Sequence, residues 1–238
     1  QNKLGIFNYA IAYERELGVV NPLNYVFAKL YYTFKFKEKK NRLRQTLKDK
    51  FLGKNGFIDA AGSEHVSMHT SALALMYEVV DQDEAILIIE ILKAKRMKCG
   101  VYFAFFLLKG LFNYGEVDFA YDLMTCDDIH SWQTMLNDGA TTCMEAWGIE
   151  QKWNTSLCHP WASAPVYMAA AEIFGLKPGV PGWAEIDFSP KIPEALEQGS
   201  ISINIPQGKV MVEFHRKNGQ PIFTVTAPDN VKILRNDV

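Results

Sequence analysis

Apolar side chains recur at a helical period through residues 24–51, and the segment ends where Gly53 and Asn55-Gly56 supply turn chemistry. Its basic stretch, KFKEKKNRLRQTLKDKF, interleaves acids with the lysines and keeps the apolar spacing, which marks a solvated outer helix face more than a binding patch. The same period predicts helices over residues 68–80, 84–95, 101–113 and 117–124, with breaks such as VVDQD and NYGE short enough to make helical hairpins. The third of these, VYFAFFLLKGLF, is apolar on nearly every face and is expected to be buried on all sides, as in the inner layer of a two-layer helical array. A last helix is predicted over residues 161–174, with Pro160 at its start, Gly175 after its end and Pro178 beyond.

After Gly182 the period drops to two. AEIDFSP, SISINIP, KVMVEFHRK and PIFTVTAP alternate apolar and polar residues as half-buried strands do, with a hairpin turn at Asn218-Gly219. The change places a boundary near residue 180, between an all-helical part (residues 1–180) and a small antiparallel β domain (residues 181–238). The fold class is therefore mainly α with a C-terminal all-β domain.

Composition narrows the partners more than the fold. A chain of 238 residues with 48% hydrophobic content can bury a substantial core. Its 25 basic and 27 acidic residues offer no broad attraction to phosphate backbones or anionic lipid, so neither nucleic acid nor a membrane surface is an expected partner. The longest apolar run, VYFAFFLL, falls far short of the about 20 residues that span a bilayer. Cys99, Cys126, Cys143 and Cys158 form no C-x-x-C pair, so reduced thiols are expected in place of a zinc or redox motif. The opening QNKLGIFNYA has neither the succession of a signal peptide nor an initiator Met. The expectation is a chain that begins inside a longer protein, which leaves the compartment, bacterial cytoplasm or periplasm, unassigned.

Candidate chemistry concentrates in two loops, DDIHSWQTMLNDGATTCMEAWG and IEQKWNTSLCHPW. They hold Trp132, Trp147, Trp153 and Trp161 with Asp127, Asp128, Asp138, Glu145, His130 and His159, a mixture of indole faces and polar groups suited to a neutral, polyhydroxylated ligand. Glu145 has no Lys or Arg beside it within GATTCMEAWG. Thr142-Cys143-Met144-Glu145 fits a capping box, and a carboxylate at a helix N-terminus is also placed to handle a proton. His65 and His69, four apart, imitate half of a metal site on one helical face, but no third ligand accompanies them; capping or lining a pocket at a helix start is the expected role. No metal and no cofactor is expected. Asn154-Thr155-Ser156 reads as a glycan acceptor next to the proposed site, where a glycan would obstruct a sugar, so the native protein is expected to leave it bare.

The succession SEHVSMHTSALALMYEVV, CGVYFAFFLLKGLFNYGEVDFAYDLM, SWQTMLNDGATTCMEAWG and SLCHPWASAPVYMAAAEIFGLKPGVPGW resembles the C-terminal half of family-78 glycoside hydrolases, the α-L-rhamnosidases, over roughly residues 57–238. The resemblance implies part of an (α/α)6 barrel followed by an antiparallel β-sandwich, and hydrolysis of terminal α-L-rhamnose from a rhamnose-containing glycoside or polysaccharide with inversion. The family's Thr-Thr-x-x-Glu-x-Trp segment aligns with residues 141–147 and implies Glu145 as general base, with Trp147 beside it as a substrate-binding residue; its Leu-x-His segment implies His159 as a ligand of sugar hydroxyls, and Trp132 falls at a substrate-binding, pocket-lining position. Met144 stands where many relatives have an aromatic residue. The family's Asp-Cys-Pro-x-Arg segment, associated with the general acid, has no match here, so the acid is expected in a missing N-terminal half of the same protein; Asp59, Glu64 and Asp138 are the alternatives within the chain. An (α/α)6 hydrolase of other sugar specificity and a non-catalytic carbohydrate-binding protein are the competing readings.

Overall fold

The computed structural model describes residues 37–235. Residues 24–36 of the first predicted helix lie outside that range; its remainder forms α1, Lys37–Phe51, which turns Leu47 inward and leaves most of its charged side chains in water. A hairpin of β1, Leu52–Gly53, and β2, Gly56–Phe57, leads to α2, Met68–Met76. Ser67 caps α2 by accepting from Thr70 N, and the helix is buried from Thr70 through Leu75. Arg44 on α1 donates to the carbonyls of Val79 and Val80, and the Tyr114 hydroxyl also donates to Val80, so the chain leaving α2 does not carry orphaned carbonyls into the interior.

α3, Gln82–Lys95, starts two residues earlier than the apolar period suggests. Asp81 accepts from Glu84 N at 3.1 Å while Glu84 accepts from Asp81 N at 3.0 Å, a reciprocal cap written in the break itself. A 3-10 turn, Val101–Phe103, runs into α4, Ala104–Asn113. The expectation of burial on all sides holds for Ala104, Leu107, Leu108, Leu111 and Phe112, but Tyr102, Phe105, Phe106 and Lys109 form a face only partly covered. α4 lies close against α2 because Gly110 has no side chain: a Cβ there would meet Ala72 O and Leu75 Cβ at 3.0 Å. α5, Val117–Thr125, completes the predicted hairpin by burying Ala120 and Leu123.

Two further features depart from the sequence expectation. A short helix, α6, Trp132–Asn137, capped by Ser131, occupies a stretch with no clear apolar period. The last predicted helix is broken into a 3-10 turn, Pro160–Ala162, a short α7, Ala164–Met168, and a π turn, Ala169–Ile173. Pro165 explains the break, since it has no N–H to donate backwards and must sit in the first turn of a helix that starts anew.

The strands follow as two three-stranded sheets: β3, Leu176–Pro178, with β4, Glu185–Phe188, and β8, Lys232–Arg235; and β5, Gln198–Ile205, with β6, Gly208–Lys217, and β7, Gln220–Thr226. Neighbours are antiparallel except β4 and β8, which run parallel. Asn218 and Gly219 take the positive φ values, 54° and 79°, that a tight β6–β7 turn needs. Val210, Val212 and Phe214 of β6 point inward, and Phe188 of β4 meets Phe223 of β7 with ring centroids 5.5 Å apart, joining the two sheets.

Helices and strands are locked together around Glu172 in the π turn, whose carboxylate is 0% exposed. Lys109 of α4, Lys177 of β3 and Lys191 place their ammonium groups 2.9, 3.0 and 3.9 Å from it. Lys191 also donates to the carbonyl of Phe112 in the last turn of α4.

Candidate functional site

The loop between α6 and the 3-10 turn Ile149–Gln151 is held from below. Met144 and Trp147 are buried, and the indole N–H of Trp147 donates to Cys99 O at 2.6 Å, just before α4 begins. Trp132, the first residue of α6, meets Trp147 edge-on at 4.9 Å and donates to Ala162 O at 2.8 Å. Asp138 anchors the far end by accepting from Ile149 N at 2.9 Å. With Met144 and Trp147 turned inward, the residue between them that can serve a polar site is Glu145.

Glu145 does not begin a helix, so the capping-box expectation fails. Thr142 spends its hydroxyl on Leu157 O at 2.5 Å instead of capping a free N–H, and residues 141–148 remain irregular. The partner segment comes from 156–159. Glu145 N donates to Ser156 O at 2.9 Å, Ser156 N donates back to the Glu145 carboxylate at 3.1 Å, and His159 N donates to Cys143 O at 2.8 Å. Two chain segments lie side by side, fixing Glu145 on one and His159 on the other.

The absence of a cationic neighbour holds only along the sequence. In space Lys152 Nζ lies 2.5 Å from Glu145 Oε1. The Lys152 contact and the Ser156 N–H, followed by the smaller influence of His159, hold the Glu145 carboxyl below the usual carboxylate range. The helix dipole invoked from sequence plays no part; a lysine and one backbone amide do the same electrostatic work.

The aromatic residues divide by exposure. Trp147 is 2% exposed and supports the site from beneath instead of lining it, while Trp132 is half-buried with its N–H committed. Trp161 is 44% exposed, lies 4.1 Å from the His159 ring and continues to Tyr102 at 5.1 Å. His159 adopts the extended backbone (φ −134°, ψ 99°) that the following proline favours. Asn154 is exposed, two residues from both Lys152 and Ser156.

The other candidates are engaged elsewhere. Asp59 pairs with His65 at 2.5 Å and accepts from Ser67 N and the Thr70 hydroxyl; burial alone would raise its carboxyl, but these bonds outweigh it and hold it below the usual range. His65 precedes α2 and His69 lies in its first turn, so the two do not share a helical face; His69 packs at 4.3 Å on Phe103, and burial pushes its imidazole down. Among the described residues no group of three or more His, Cys, Asp or Glu could hold a metal ion, and no helix is long and apolar enough to cross a membrane. Sequence reasoning missed Lys152 and Ser156, since a lysine seven residues along an irregular loop carries no periodic signal.

Hairpins of helices followed by β sheets, with a tethered carboxylate in the loop before the last helix, are the arrangement of a helical-hairpin domain with a C-terminal β domain. Residues 13–173 match the bacterial alpha-L-rhamnosidase six-hairpin glycosidase domain and residues 175–234 match the bacterial alpha-L-rhamnosidase C-terminal domain. The chain belongs to this bacterial α-L-rhamnosidase family. An α-L-rhamnosidase of Formosa agariphila is 23% identical over 221 residues, 87% of this chain and 23% of its own length. One from an Alteromonas species is 30% identical over 125 residues, 49% of this chain and 14% of its own length. The fold is shared with the α-L-rhamnosidase of Streptomyces avermitilis solved with L-rhamnose (TM-score 0.69, 19% identity, 87% of this chain and 21% of that one). It is shared as well with that of Aspergillus terreus (TM-score 0.71, 21% identity, 87% and 26%). The chain thus spans about a quarter or less of the relatives it matches.

Proposed function

We propose that this chain supplies the base-bearing portion of an inverting α-L-rhamnosidase. Glu145 is the general base: its carboxylate takes a proton from a water molecule as that water attacks the anomeric carbon of a terminal rhamnose. His159 bonds the sugar hydroxyls. The observation that carries the reading is the double tether of Glu145 to Lys152 and Ser156 within a segment matched by the family, which keeps it anionic and oriented beside His159.

Inversion needs a second carboxyl group about 6.5–9.5 Å away to protonate the leaving oxygen. Asp59 is unsuited, because the bonds that hold its carboxyl low favour the anion whereas a general acid must carry its proton. Asp138 gives one oxygen to the backbone of Ile149. The sequence holds no match to the family's Asp-Cys-Pro-x-Arg segment, and on that ground the acid is proposed to come from another portion of the enzyme; the proposed partners are that portion and a rhamnose-bearing glycoside or polysaccharide.

Two measurements test this. The purified 238-residue chain should show no measurable turnover of an aryl α-L-rhamnoside, and turnover should appear when the preceding portion of the enzyme is supplied. In the active assembly Glu145→Gln should lower kcat by orders of magnitude while Tm stays close to the parent value. Robust turnover by the chain alone would return the search for the acid to Asp59, Glu64 and Asp138, and near-normal turnover of the Gln variant would remove Glu145 from the chemistry.

A further inference from the structure

We propose that Cys143 and Cys158 form a redox pair at the rim of the site, and that oxidation of the pair to a disulfide switches the site off. The pairing is independent of the rhamnoside reading; its effect on turnover rests on that reading. Cys143 stands two residues before Glu145, and Cys158 stands one residue before His159. The carbonyl of Cys143 accepts at 2.8 Å from the peptide N–H that joins Cys158 to His159, and Glu145 N donates to Ser156 O at 2.9 Å. The order of these two bonds reverses from one segment to the other, so the segments run antiparallel and Cys143 lies opposite the Cys158–His159 peptide. Thr142 donates its hydroxyl to Leu157 O, which pins the residues just before each cysteine. Covalent geometry on either side of the Cys143 hydrogen bond sets the Cα atoms of the two cysteines about 5–7 Å apart. That interval overlaps the about 4.4–6.8 Å that disulfides span, so the thiols can be joined without rearranging the fold.

The remaining cysteines are poorly placed to compete. Cys99 is buried, and burial pushes its thiol up to about 12; the Cys126 thiol donates to Leu123 O at the end of α5. Cys158 is exposed and Cys143 half-buried, so a small disulfide in solution meets Cys158 first. The Cys158 thiolate attacks it, its S–S bond breaks and one thiol leaves; the Cys143 thiolate then attacks the mixed disulfide, the second thiol leaves and the Cys143–Cys158 bond forms. The two protons and two electrons lost by the cysteines are carried away by the two thiols released. The bond has a geometric consequence. Opposed residues on paired segments keep their Cβ atoms about 4.5–5.5 Å apart, whereas a disulfide holds them at about 3.8 Å. Closing that gap draws the segments together by about 1 Å, beside His159 and within two residues of Glu145, and a displacement of that size at reacting groups costs about 100-fold in rate.

The first measurement is made on the 238-residue chain, equilibrated with oxidised glutathione, alkylated and digested with trypsin without reduction. Trypsin cuts after Lys152, which places the two cysteines in separate peptides, one following Lys109 and one following Lys152. These peptides should be recovered joined, in Cys126→Ser as well as in the parent, and apart after dithiothreitol; Cys143→Ser and Cys158→Ser should each abolish the joined product. Alkylation of both thiols after the oxidant, a lasting glutathione adduct on Cys158 with Cys143 free, or a joined product that disappears in Cys126→Ser would overturn the pairing. The second measurement is turnover of an aryl α-L-rhamnoside by the assembled enzyme. Oxidation should lower kcat/KM by about 10- to 100-fold, dithiothreitol should restore it, and Cys158→Ser should keep the reduced rate in the presence of oxidant. If the joined peptides form while the oxidised enzyme turns over at the reduced rate, the switch is refuted. If the reduced assembly has no rhamnosidase activity, the rhamnoside reading fails and the peptide map still decides the pairing.

Discussion

At the scale of single residues, the contact between Lys152 and Glu145 works in two directions. It keeps the carboxylate ionised and aimed, yet a base whose proton affinity has been lowered is a weaker base. Glu145 has its folded pKa depressed by Lys152 first and by the Ser156 N–H second, so the anionic form persists to lower pH than for a free carboxylate and is lost as pH falls through that lowered value. Replacing Lys152 by Met removes the larger of these influences. In the assembled enzyme the acidic limb of the kcat/KM profile should move to higher pH in Lys152→Met, with the alkaline limb in place. An acidic limb that does not move would show that Glu145 is not the group whose ionisation sets it.

The residue scale also shows how far a site can be read without coordinates. Glu145 and His159 stand out because their motif is local, a few residues long. Their electrostatic setting is not local: it depends on Lys152 and Ser156, seven and eleven positions away along an irregular loop. The aromatic cluster was visible as composition, but which indole faces outward was decided by Pro160 and by carbonyls at Cys99 and Ala162.

At the scale of elements, legibility follows the range of the forces that set each boundary. The start of α3 was available in Asp81-x-x-Glu84, and the β6–β7 turn in Asn218-Gly219, because capping and turn geometry are satisfied within four residues. α6 was not visible, since a six-residue helix shows less than two turns of period. The approach of α4 to α2 at Gly110 is likewise invisible, since a glycine inside a helical pattern reads only as a weak position. It has a measurable consequence. Gly110→Ala forces a methyl group against Ala72 O, Leu75 Cβ and Met76 N at 3.0–3.1 Å, two of them backbone atoms that cannot swing aside. The variant should lose about 1–3 kcal/mol in denaturant unfolding despite the better helix propensity of alanine. Gly100→Ala, where nothing lies within 4 Å and φ is −68°, is the control and should stay within about 0.5 kcal/mol of the parent. Equal stability of the two variants would mean that the helices separate without cost at Gly110.

At the scale of the whole molecule, the question is what makes helices and sheets one body, and the ion cluster at Glu172 gives a physical answer. Its carboxylate is 0% exposed and faces ammonium groups from α4, from β3 and from the segment leading to β5. Burial alone would raise the Glu172 carboxyl; the close Lys109 ammonium and the charge and hydrogen bond of Lys177 outweigh it and hold it below the usual range. Lys191, by contrast, is pushed down by burial, so removing the central anion would leave three crowded cations with no counter-charge among them. Breaking such a cluster by deleting one partner costs about 3–5 kcal/mol. Glu172→Gln, close to isosteric, should therefore lower Tm by about 6–20 °C for a chain of this size. The sign with pH follows from the depressed carboxyl: the parent's advantage over Glu172→Gln is fully present above the ordinary carboxylate pKa of about 4.3 and shrinks as pH falls below it toward the lowered folded value. Calorimetry of both proteins at neutral pH and at successively lower pH checks the magnitude and the direction together. A gap in Tm that stays constant across that range would mean that the carboxylate charge does not hold the two parts together, and that Glu172 contributes through packing alone.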